Sequence, residues 1–303
     1  MCGIAGYLSL KSEPYPQGQA ALSAMSSLIA HRGPDGSGQW TSNDGRVGFV
    51  HRRLAIIDLS TAGAQPMIGP NGVVITYNGE IYNYIELRKE LASHWAFRST
   101  SDTEVILAAY DRWGDDCVSH LRGMFAFAIW DEKKQRLFLA RDRFGIKPLY
   151  YTEQDGRLFF ASEAKALLPL LPEIRTDSSA LAEYLTFQYT IGAKTLFEHV
   201  NALLPGHALT AHDGNVQVRR YWDVQYVVDF DHSPRYFEAR FKELVADSMD
   251  VHLRADVPIG GYVSGGLDSS LVALLASHHD SRNRLAFHGR FTEYPGYDES
   301  RYA

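Results

Sequence analysis

The sequence predicts an α+β sandwich that is followed by the beginning of a parallel α/β domain. Short β-rich runs alternate with separate helical blocks over the first two hundred residues, which favours sheets and helices in separate layers. An Asp-Gly pair at 155–156, between two strand-like runs, is a strong hairpin signal. Beyond a polar stretch at residues 229–235, an apolar run, a glycine-rich loop and a helix follow in the order that opens a parallel α/β domain.

The composition is that of an ordinary globular protein. The chain has 303 residues, enough for about two domains, with 45% hydrophobic and 22% charged residues. Its formal net charge of −6 gives no broad field for nucleic acid, and no apolar stretch reaches the roughly 18 residues of a membrane-spanning helix. Two cysteines, Cys2 and Cys117, cannot form a disulfide framework, and we expect Cys117 to lie in the core. We therefore expect a cytoplasmic protein with neither a nucleic-acid nor a membrane partner.

The order of strands and helices follows from the periodicity of the sequence. Runs rich in β-branched and aromatic residues predict strands at 3–8, 47–54, 72–78, 124–131, 136–141, 149–152 and 157–162. Apolar residues at helical spacing predict helices at 20–30, 83–91 and 102–114. Asp102 and Thr103 are candidate caps for the third helix.

A change of pattern after residue 212 predicts the domain boundary. A second Asp-Gly pair at 213–214 predicts a hairpin, and the polar stretch at 229–235 is the candidate linker. A helix at 234–253, a strand at 257–263 and a helix at 269–277 follow. We expect domains at residues 2–212 and 236–303, joined by a hairpin and linker at 213–235. The second domain is expected to be incomplete, since a doubly wound sheet needs several more strands.

Cys2 is a candidate nucleophile because it follows the initiator Met1 directly. Removal of Met1 would leave a residue with both a thiol and a free α-amine. That amine, with an ordinary pKa of about 7.7–8.0, can act as a base for the thiol of the same residue. The alternative is a cysteine that is simply buried and inert. Other motifs decide between the two.

Five motifs support the catalytic alternative for Cys2. They are Cys2-Gly3-Ile4-Ala5-Gly6, His31-Arg32-Gly33-Pro34-Asp35, Asn78-Gly79-Glu80-Ile81-Tyr82-Asn83, Ser101-Asp102-Thr103-Glu104 and Arg141-Asp142-Arg143-Phe144-Gly145. In this order they closely resemble the class II glutamine amidotransferases. The resemblance covers the first two hundred residues and implies the four-layer αββα fold of the N-terminal-nucleophile hydrolases.

The resemblance implies roles for the matching residues at the reacting end of the substrate and at its carboxylate. Cys2 would attack the side-chain amide of glutamine, and Asn78 and the backbone N–H of Gly79 would form the oxyanion hole. Arg53, with Leu54 beside it in the glutamine pocket, would grip the α-carboxylate, for which a guanidinium fork is suited.

The same resemblance implies that Asp102 holds the α-ammonium group of glutamine, with Glu80 as a second polar contact. Each residue also has an ordinary explanation. Arg53 could form a surface ion pair, Asp102 could cap a helix, and Asn78-Gly79 could form a turn. His31 is a tempting base, but the family mechanism uses the α-amine. We therefore expect His31 to order the loop that follows it.

The glycine-rich loop at 263–270 is a candidate phosphate site. Glycine lets backbone N–H groups form an anion nest, and the helix that follows adds partial positive charge. The loop lacks the Lys-Ser/Thr pair of a Walker A motif. As a whole it resembles the pyrophosphate loop of ATP pyrophosphatases, which implies ATP binding by its members, Ser264, Gly265, Gly266, Leu267, Asp268, Ser269 and Ser270.

An N-terminal cysteine glutaminase joined to such a loop resembles the glutamine-dependent asparagine synthetases. Further similar segments are Leu203-Leu204-Pro205-Gly206-His207, Arg220-Tyr221-Trp222 and Asp298-Glu299-Ser300-Arg301-Tyr302-Ala303. By position Tyr262 and Gly289 would lie near the adenine of ATP, although the family has aliphatic residues there. Asp268 would either orient the loop or contribute to a Mg²⁺ shell.

The resemblance implies that ammonia from glutamine attacks an acyl-adenylate made from ATP and a carboxylate, which we expect to be aspartate. Two alternatives stay open: an enzyme of the same architecture that amidates another carboxylate, such as a cell-surface sugar acid, and a non-catalytic regulatory module. A homodimer is one possible assembly. We expect the 303-residue chain to hydrolyse glutamine without completing the synthetase reaction.

Overall fold

Two antiparallel sheets fill the first unit of the computed structural model, which describes residues 1–11, 13–279, 284–290, 293 and 298–303. This unit is Met1–Val224, and a second compact unit is Gln225–Ala303. The strands of the first unit are β1 Gly3–Ser9, β2 Gly36–Thr41, β3 Val47–Arg53, β4 Met67–Ile68, β5 Val73–Ile81, β6 Gly123–Asp131, β7 Arg136–Arg141, β8 Tyr150–Gln154, β9 Arg157–Ala161, β10 Asn201–Ala202, β11 His207–His212 and β12 Asn215–Arg220. Its helices are α1 Gly18–Leu28, α2 Tyr84–Leu91, α3 Asp102–Trp113, α4 Cys117–His120 and α5 Ser178–Phe187.

The two sheets pack face to face and carry helices on their outer faces. The first has the order β10-β8-β9-β1-β3-β2 and the second the order β12-β11-β7-β6-β5-β4. Side chains from both sheets, among them Phe49, Trp130 and Phe160, form the layer between them. On the outer faces, α1 covers the first sheet, and α2 and α3 cover the second. The four-layer αββα fold is therefore confirmed.

The central strands are apolar throughout because both of their faces are buried. In β6, Phe125 and Phe127 point to the helical layer, whereas Ala126 and Trp130 point to the opposite sheet. Such a strand appears in the sequence as a continuous apolar run rather than an alternation. Cys117 belongs to the helical-side core and is buried.

Both Asp-Gly pairs form tight hairpins. Asp155 and Gly156 have φ angles of 51° and 73° between β8 and β9, and Asp213 and Gly214 have 49° and 75° between β11 and β12. Two successive positive φ angles suit the right-handed twist of the paired strands. Since β11 also pairs with β7, the hairpin at 213–214 lies in the second sheet, and the first compact unit extends to Val224.

Several predicted boundaries differ from the observed ones. The pair Asn78-Gly79 lies inside β5, which continues to Ile81, so the turn alternative is wrong. Ser101, rather than Asp102 or Thr103, caps α3, because its side chain accepts a hydrogen bond from the N–H of Thr103.

The short elements β4, α4 and β10 have no counterpart among the predicted strands and helices, and neither do two longer elements of the first unit. One is β2, a glycine-containing strand held by its pairing with β3. The other is α5, whose first turn is capped by the carboxylate of Asp177.

The described part of the second unit contains two helices, α6 Pro234–His252 and α7 Leu267–His279, which pack on each other. Its short strands, β13 Gly261–Tyr262 and β14 Ala286–Phe287, pair in parallel. The predicted strand at 257–263 is thus reduced to two residues, because β14 offers a ladder partner only there. The strand, glycine loop and helix order at 261–279 is as predicted. The apolar side chains Leu271, Val272 and Leu274 of α7 are exposed.

Candidate active site

Cys2 lies at the start of β1 and lines a pocket of the first unit. Its Sγ atom accepts a hydrogen bond from the N–H of Leu54 over 3.3 Å and lies 3.5 Å from the carbonyl oxygen of Leu54. Burial raises the pKa of the Cys2 thiol, and the hydrogen bond from Leu54 only partly opposes this. The thiol therefore needs a base before it can act as a nucleophile.

The motif at residues 31–35 fixes the backbone around Cys2. Arg32 donates from Nε to the carbonyl oxygen of Cys2 over 2.8 Å and from a terminal nitrogen to Glu163 over 2.8 Å. His31 lies 2.9 Å from the same carboxylate, and its role in ordering the loop stays a prediction. Asp35 accepts a 2.9 Å hydrogen bond from the N–H of Ala55, which ties the motif to the segment that follows Leu54.

Asn78 is fully buried and both polar atoms of its side-chain amide lack a hydrogen-bond partner among the described residues. Each unpaired buried polar group costs about 1–3 kcal/mol. An unpaired buried group in a folded protein therefore needs an explanation. One explanation is that the group gains its hydrogen-bond partner only when a substrate reacts. Asn78 lines the same pocket as Cys2.

The strand ladder aims the N–H of Gly79 at this pocket. Phe125 lies opposite Gly79, but both of its backbone groups bond to Asp142 instead. Its carbonyl oxygen accepts from the N–H of Asp142 over 2.8 Å, and its own N–H donates to the Asp142 carboxylate over 3.1 Å. Because opposed residues in an antiparallel ladder either exchange both hydrogen bonds or none, Gly79 turns its N–H away from β6. The neighbouring N–H groups on that edge donate to side chains that line the pocket: Tyr77 to Gln65 over 2.6 Å and Ile81 to Asp102 over 3.0 Å.

Gly79 has no room for a side chain. A Cβ atom there would lie 2.3 Å from the carbonyl oxygen of Met124 and 2.8 Å from the Cα of Phe125. A glycine at this position thus permits the close approach of β5 and β6, and it leaves its N–H accessible from the pocket.

Arg53 places a fixed positive charge in the pocket wall. Its guanidinium donates to the backbone carbonyl oxygens of Ser60, over 2.8 Å, and of Asp58. No carboxylate lies within ion-pair distance of Arg53 in the described part of the chain, so the surface ion-pair alternative is wrong. The arrangement leaves the charge available to an anionic group in the pocket.

Two buried acids, Asp102 and Glu80, line the same pocket. Asp102 accepts hydrogen bonds from the hydroxyl of Tyr77 over 2.7 Å and from the N–H of Ile81, and burial raises its pKa. Burial and the nearby charge of Asp102 raise the pKa of Glu80 to about 7. The pocket therefore joins an acidic side to the cationic side formed by Arg53.

The pocket brings together every residue that the amidotransferase resemblance assigns to the glutaminase site. These are Cys2, Arg53, Leu54, Asn78, Gly79, Glu80 and Asp102. Lys147 also lines the pocket and was not among the predicted residues. The motif that begins at Arg141, six residues before Lys147, could have drawn attention to this residue.

The loop between β13 and α7 is held by its own serine hydroxyls. The N–H of Ser264 donates to Ser269 Oγ over 3.1 Å, and the two hydroxyl oxygens lie 3.0 Å apart. The N–H of Gly266 donates to Ser264 Oγ over 3.3 Å. Gly265 has a φ of 91°, a conformation that favours glycine. The turn ends at the N-terminus of α7, where backbone N–H groups suit an anion.

A cavity beside this loop is lined by four of the predicted ATP residues, Tyr262, Ser264, Ser269 and Gly289. The others, Gly265, Gly266, Leu267, Asp268 and Ser270, form the loop and the first turn of α7. The recorded hydrogen bonds within the described loop come from Ser264, Gly266, Ser269 and Ser270, so they give no support to Asp268 as the residue that orients it. The carboxylate of Asp268 lies exposed.

The described residues include no cluster of three or more His, Cys, Asp and Glu side chains suited to a metal ion. No helix in the described part of the chain combines the length and apolarity that crossing a bilayer requires.

Family models match both units. A model described as glutamine amidotransferase domain matches residues 1–222, and one described as asparagine synthase matches residues 240–303. Asparagine synthetase (glutamine-hydrolyzing) 1 of Bacillus subtilis is 40% identical over 284 residues, which cover 91% of this chain and 44% of that protein. Amidase chry2 of Gibberella zeae is 38% identical over 291 residues, covering 92% of this chain and 43% of that protein.

A solved structure supports the fold. The glutamine phosphoribosylpyrophosphate amidotransferase from B. subtilis superimposes with a TM-score of 0.54 at 19% identity, covering 97% of this chain and 67% of that chain. At that identity the likeness concerns the fold alone. The chain spans about half the length of the curated relatives it matches. From residues 1–222 the chain belongs to the glutamine amidotransferase domain family, and its residues 240–303 match the asparagine synthase family.

Proposed function

We propose that this chain hydrolyses glutamine at Cys2. Once Met1 is removed, the α-amine of Cys2 takes the proton of the thiol, and the sulfur attacks the side-chain amide carbon of glutamine. The resulting oxyanion receives hydrogen bonds from the side-chain amide of Asn78 and the N–H of Gly79. As this intermediate collapses, the α-ammonium group of Cys2 gives its proton to the leaving nitrogen, so that ammonia departs and a thioester remains. Water then hydrolyses the thioester to glutamate and free Cys2.

The observation that carries this proposal is the unpaired amide of Asn78 beside the outward N–H of Gly79, both lining the pocket of Cys2. These donors need no reorganisation when negative charge develops on the substrate oxygen. Preorganised donors of this kind stabilise a transition state more than a ground state.

The ends of glutamine have complementary partners in the same pocket. The guanidinium of Arg53, held by two carbonyl groups, is suited to the α-carboxylate. Asp102 and Glu80 are suited to the α-ammonium group, and Leu54 completes the wall beside Cys2. The hydroxyl of Tyr77 holds Asp102 in place from behind.

We further propose that the second unit takes part in an ATP-dependent synthetase reaction, because its residues 240–303 match the asparagine synthase family. There ATP would activate a carboxylate as an acyl-adenylate, and ammonia from Cys2 would convert it to an amide. The loop at 264–270 would bind the pyrophosphate part of ATP, with Tyr262 and Gly289 near the adenine. An exposed carboxylate such as Asp268 fits a hydrated Mg²⁺ that arrives with ATP.

Each of the two proposed activities is assigned to its own part of the chain. We propose that the glutaminase domain, predicted at residues 2–212, also includes the hairpin at 213–214 of the second sheet, and that residues 236–303 are the first part of the synthetase domain. The two free cysteines support a cytoplasmic location. A homodimer stays a prediction for light scattering to test.

The glutaminase proposal is tested by incubating the purified chain with glutamine and measuring glutamate and ammonia. We expect equal amounts of both products from the wild-type chain and neither from Cys2→Ala. An electrophilic glutamine analogue should add its mass to the peptide that contains Cys2, and to no peptide that contains Cys117. A folded chain with Cys2 at its N-terminus that releases no ammonia would instead support a non-catalytic regulatory module.

The acceptor of the ammonia is proposed to be aspartate, since three B. subtilis relatives and three mycobacterial ones carry the name asparagine synthetase. The fungal relatives named amidases keep another carboxylate open as the alternative, a sugar acid among them. Competition among carboxylates for ATP-dependent pyrophosphate release by the full-length protein separates the two.

A further inference from the structure

The loop that follows β7 is built to hold Lys147 rigidly. The carboxylate of Asp142 accepts hydrogen bonds at 2.9–3.1 Å from the N–H groups of Phe125, Phe144, Ile146 and Lys147. The guanidinium of Arg141 donates at 2.6–2.8 Å to the carbonyl oxygens of Gly145, Lys147 and Leu203. Both backbone polar groups of Lys147 are therefore fixed by charged side chains, and such bonds are the stronger kind.

This scaffold delivers a buried cation to the glutamine pocket. Lys147 is only 5% exposed and lines the pocket together with Cys2 and Glu80. Within the described residues no carboxylate lies at ion-pair distance from its ammonium group. Burial of an unpaired charge is costly, so a charge fixed here needs a counter-charge or a ligand across the pocket.

Glu80 lines the same pocket as Lys147, and the strand pairing connects the two residues through β6. Glu80 lies opposite Met124 in the ladder, and the next residue, Phe125, is bonded to the Asp142 carboxylate that holds Lys147. Adjacent strands are about 4.8 Å apart, so a lysine side chain can reach over β6 toward Glu80. Met124 also lines this pocket.

A second acid, Asp102, opposes the ionisation of Glu80. Asp102 lies on the same wall of the pocket, and like charges at close range disfavour ionisation of both. Glu80 is 8% exposed and makes no ion pair in the described part of the chain. The other charged or titratable groups around Lys147 are Cys2, Arg32, Asp142 and the N-terminal amine of Met1. Of these, Arg32 and Asp142 are already engaged in hydrogen bonds.

We propose that Lys147 is a positioning residue that acts as the counter-charge of Glu80, so that Glu80 is a carboxylate when the α-ammonium group of glutamine enters the pocket. This rests on the proposed glutaminase function and adds a residue to it. Lys147 touches neither the reacting atoms nor the ammonium group; it acts through Glu80. The direction of the charge interactions agrees: Lys147 lowers the pKa of Glu80 against burial and Asp102, and Glu80 is the largest charge that opposes the burial of Lys147.

The test measures glutamine affinity by calorimetry in a Cys2→Ala background, where no turnover occurs. With Lys147 present, affinity should rise with pH through about 7, as Glu80 ionises. Lys147→Met should weaken binding about tenfold near neutral pH, because it removes a positive charge from a pocket that contains the acids Glu80 and Asp102. It should also move the rise to higher pH, because Glu80 is then harder to ionise. Lys147→Arg should restore both the affinity at neutral pH and the pH at which the affinity rises.

A second background shows whether Lys147 acts through Glu80. When Glu80 is already replaced by Gln, the further change Lys147→Met should no longer alter the pH dependence of glutamine binding. The effects of two residues that act through each other are not additive. If Lys147→Met weakens binding equally at every pH, or equally with and without Glu80, the residue is structural and the inference is wrong. If the Cys2→Ala chain binds no glutamine at any pH, the proposed function fails first.

Discussion

The N–H of Leu54 donates a hydrogen bond to the sulfur of Cys2 over 3.3 Å. The contact joins the end of β3 to the start of β1, and the sulfur lines a pocket that also contains Arg53 and two acids. Since burial raises the pKa of this thiol, the sulfur is held in place but is not activated. Activation must come from a neighbouring base.

The base should be the α-amine of Cys2 itself. Cys2→Ala should abolish glutamine hydrolysis, and retention of Met1 should nearly do so, because it consumes the amine and Met1 lines the pocket. Cys117→Ala is the matched control, since Cys117 lies in the helical-side core. Intact-mass measurement on each active preparation reports the N-terminus. A fully active preparation that retains Met1 would contradict this assignment.

Asn78 and Arg53 should affect different kinetic constants. Asn78→Ala should lower kcat by roughly 10²–10³ with a smaller change in KM, because its donor matters most in the transition state. Arg53→Ala should mainly raise KM, because it binds the α-carboxylate in ground and transition states alike. Steady-state kinetics on both variants separate the roles. A KM effect alone for Asn78→Ala would exclude it from the oxyanion hole.

Gly79 should be intolerant of a side chain. Gly79→Ala would place a Cβ atom 2.3 Å from the carbonyl oxygen of Met124, and we expect a loss of about 1–3 kcal/mol in the free energy of unfolding, as for other overpacked cores. Gly36→Ala in β2 is the control, because the nearest atom there is 3.7 Å away. Thermal unfolding of the two variants makes the comparison. Equal midpoints would show that β5 and β6 can separate without cost.

Glu163 should contribute to stability above its ordinary pKa. Burial would raise the pKa of Glu163, but its bonds with Arg32, Lys165 and His31 outweigh burial and lower it from 4.5 to about 2. The native state therefore favours the carboxylate, and the stability it contributes is present above about pH 4.5 and is lost as the pH falls toward 2. Each pKa unit corresponds to about 1.4 kcal/mol, and solvent screening of this partly exposed carboxylate reduces the full value, so a loss on the order of 2 kcal/mol is expected.

The measurement for Glu163 is the unfolding midpoint as a function of pH. Glu163→Gln should lower stability near pH 7 and flatten the acid dependence. Glu173→Gln is a suitable comparison, because Glu173 forms an exposed ion pair with Arg175 and such pairs contribute little. An unchanged acid slope in Glu163→Gln would mean that the network around Arg32 is not a source of stability.

The 303-residue polypeptide expressed alone should release ammonia from glutamine without forming AMP or pyrophosphate. The described second unit has one parallel pair, β13 and β14, whereas ligands of parallel sheets bind across the carboxyl ends of several strands. Ion chromatography of a reaction with ATP, Mg²⁺, glutamine and aspartate provides the readout. Stoichiometric pyrophosphate together with asparagine would show that this polypeptide suffices for the synthetase reaction.

Local chemistry accounts for what could be predicted along the chain. Apolar runs placed β1, β3, β6, β7 and β9, and the Asp-Gly pairs placed both hairpins, because these features depend on neighbours in sequence. Strand β2 escaped prediction, since its glycines carry no apolar pattern and only the ladder with β3 makes it a strand. Ser101 and Asp102 are both good caps, so local propensity could not choose between them.

Distance along the chain explains what could not be predicted about the site. Residue types and motif order sufficed to nominate Cys2, Asn78 and Asp102. Their convergence, the unpaired amide of Asn78 and the direction of the Gly79 N–H depend on which strands pair and in which register. Lys147 reaches the pocket only because Asp142 bonds to Phe125 on the neighbouring strand. Such contacts join residues far apart in sequence, and long-range packing alone sets them.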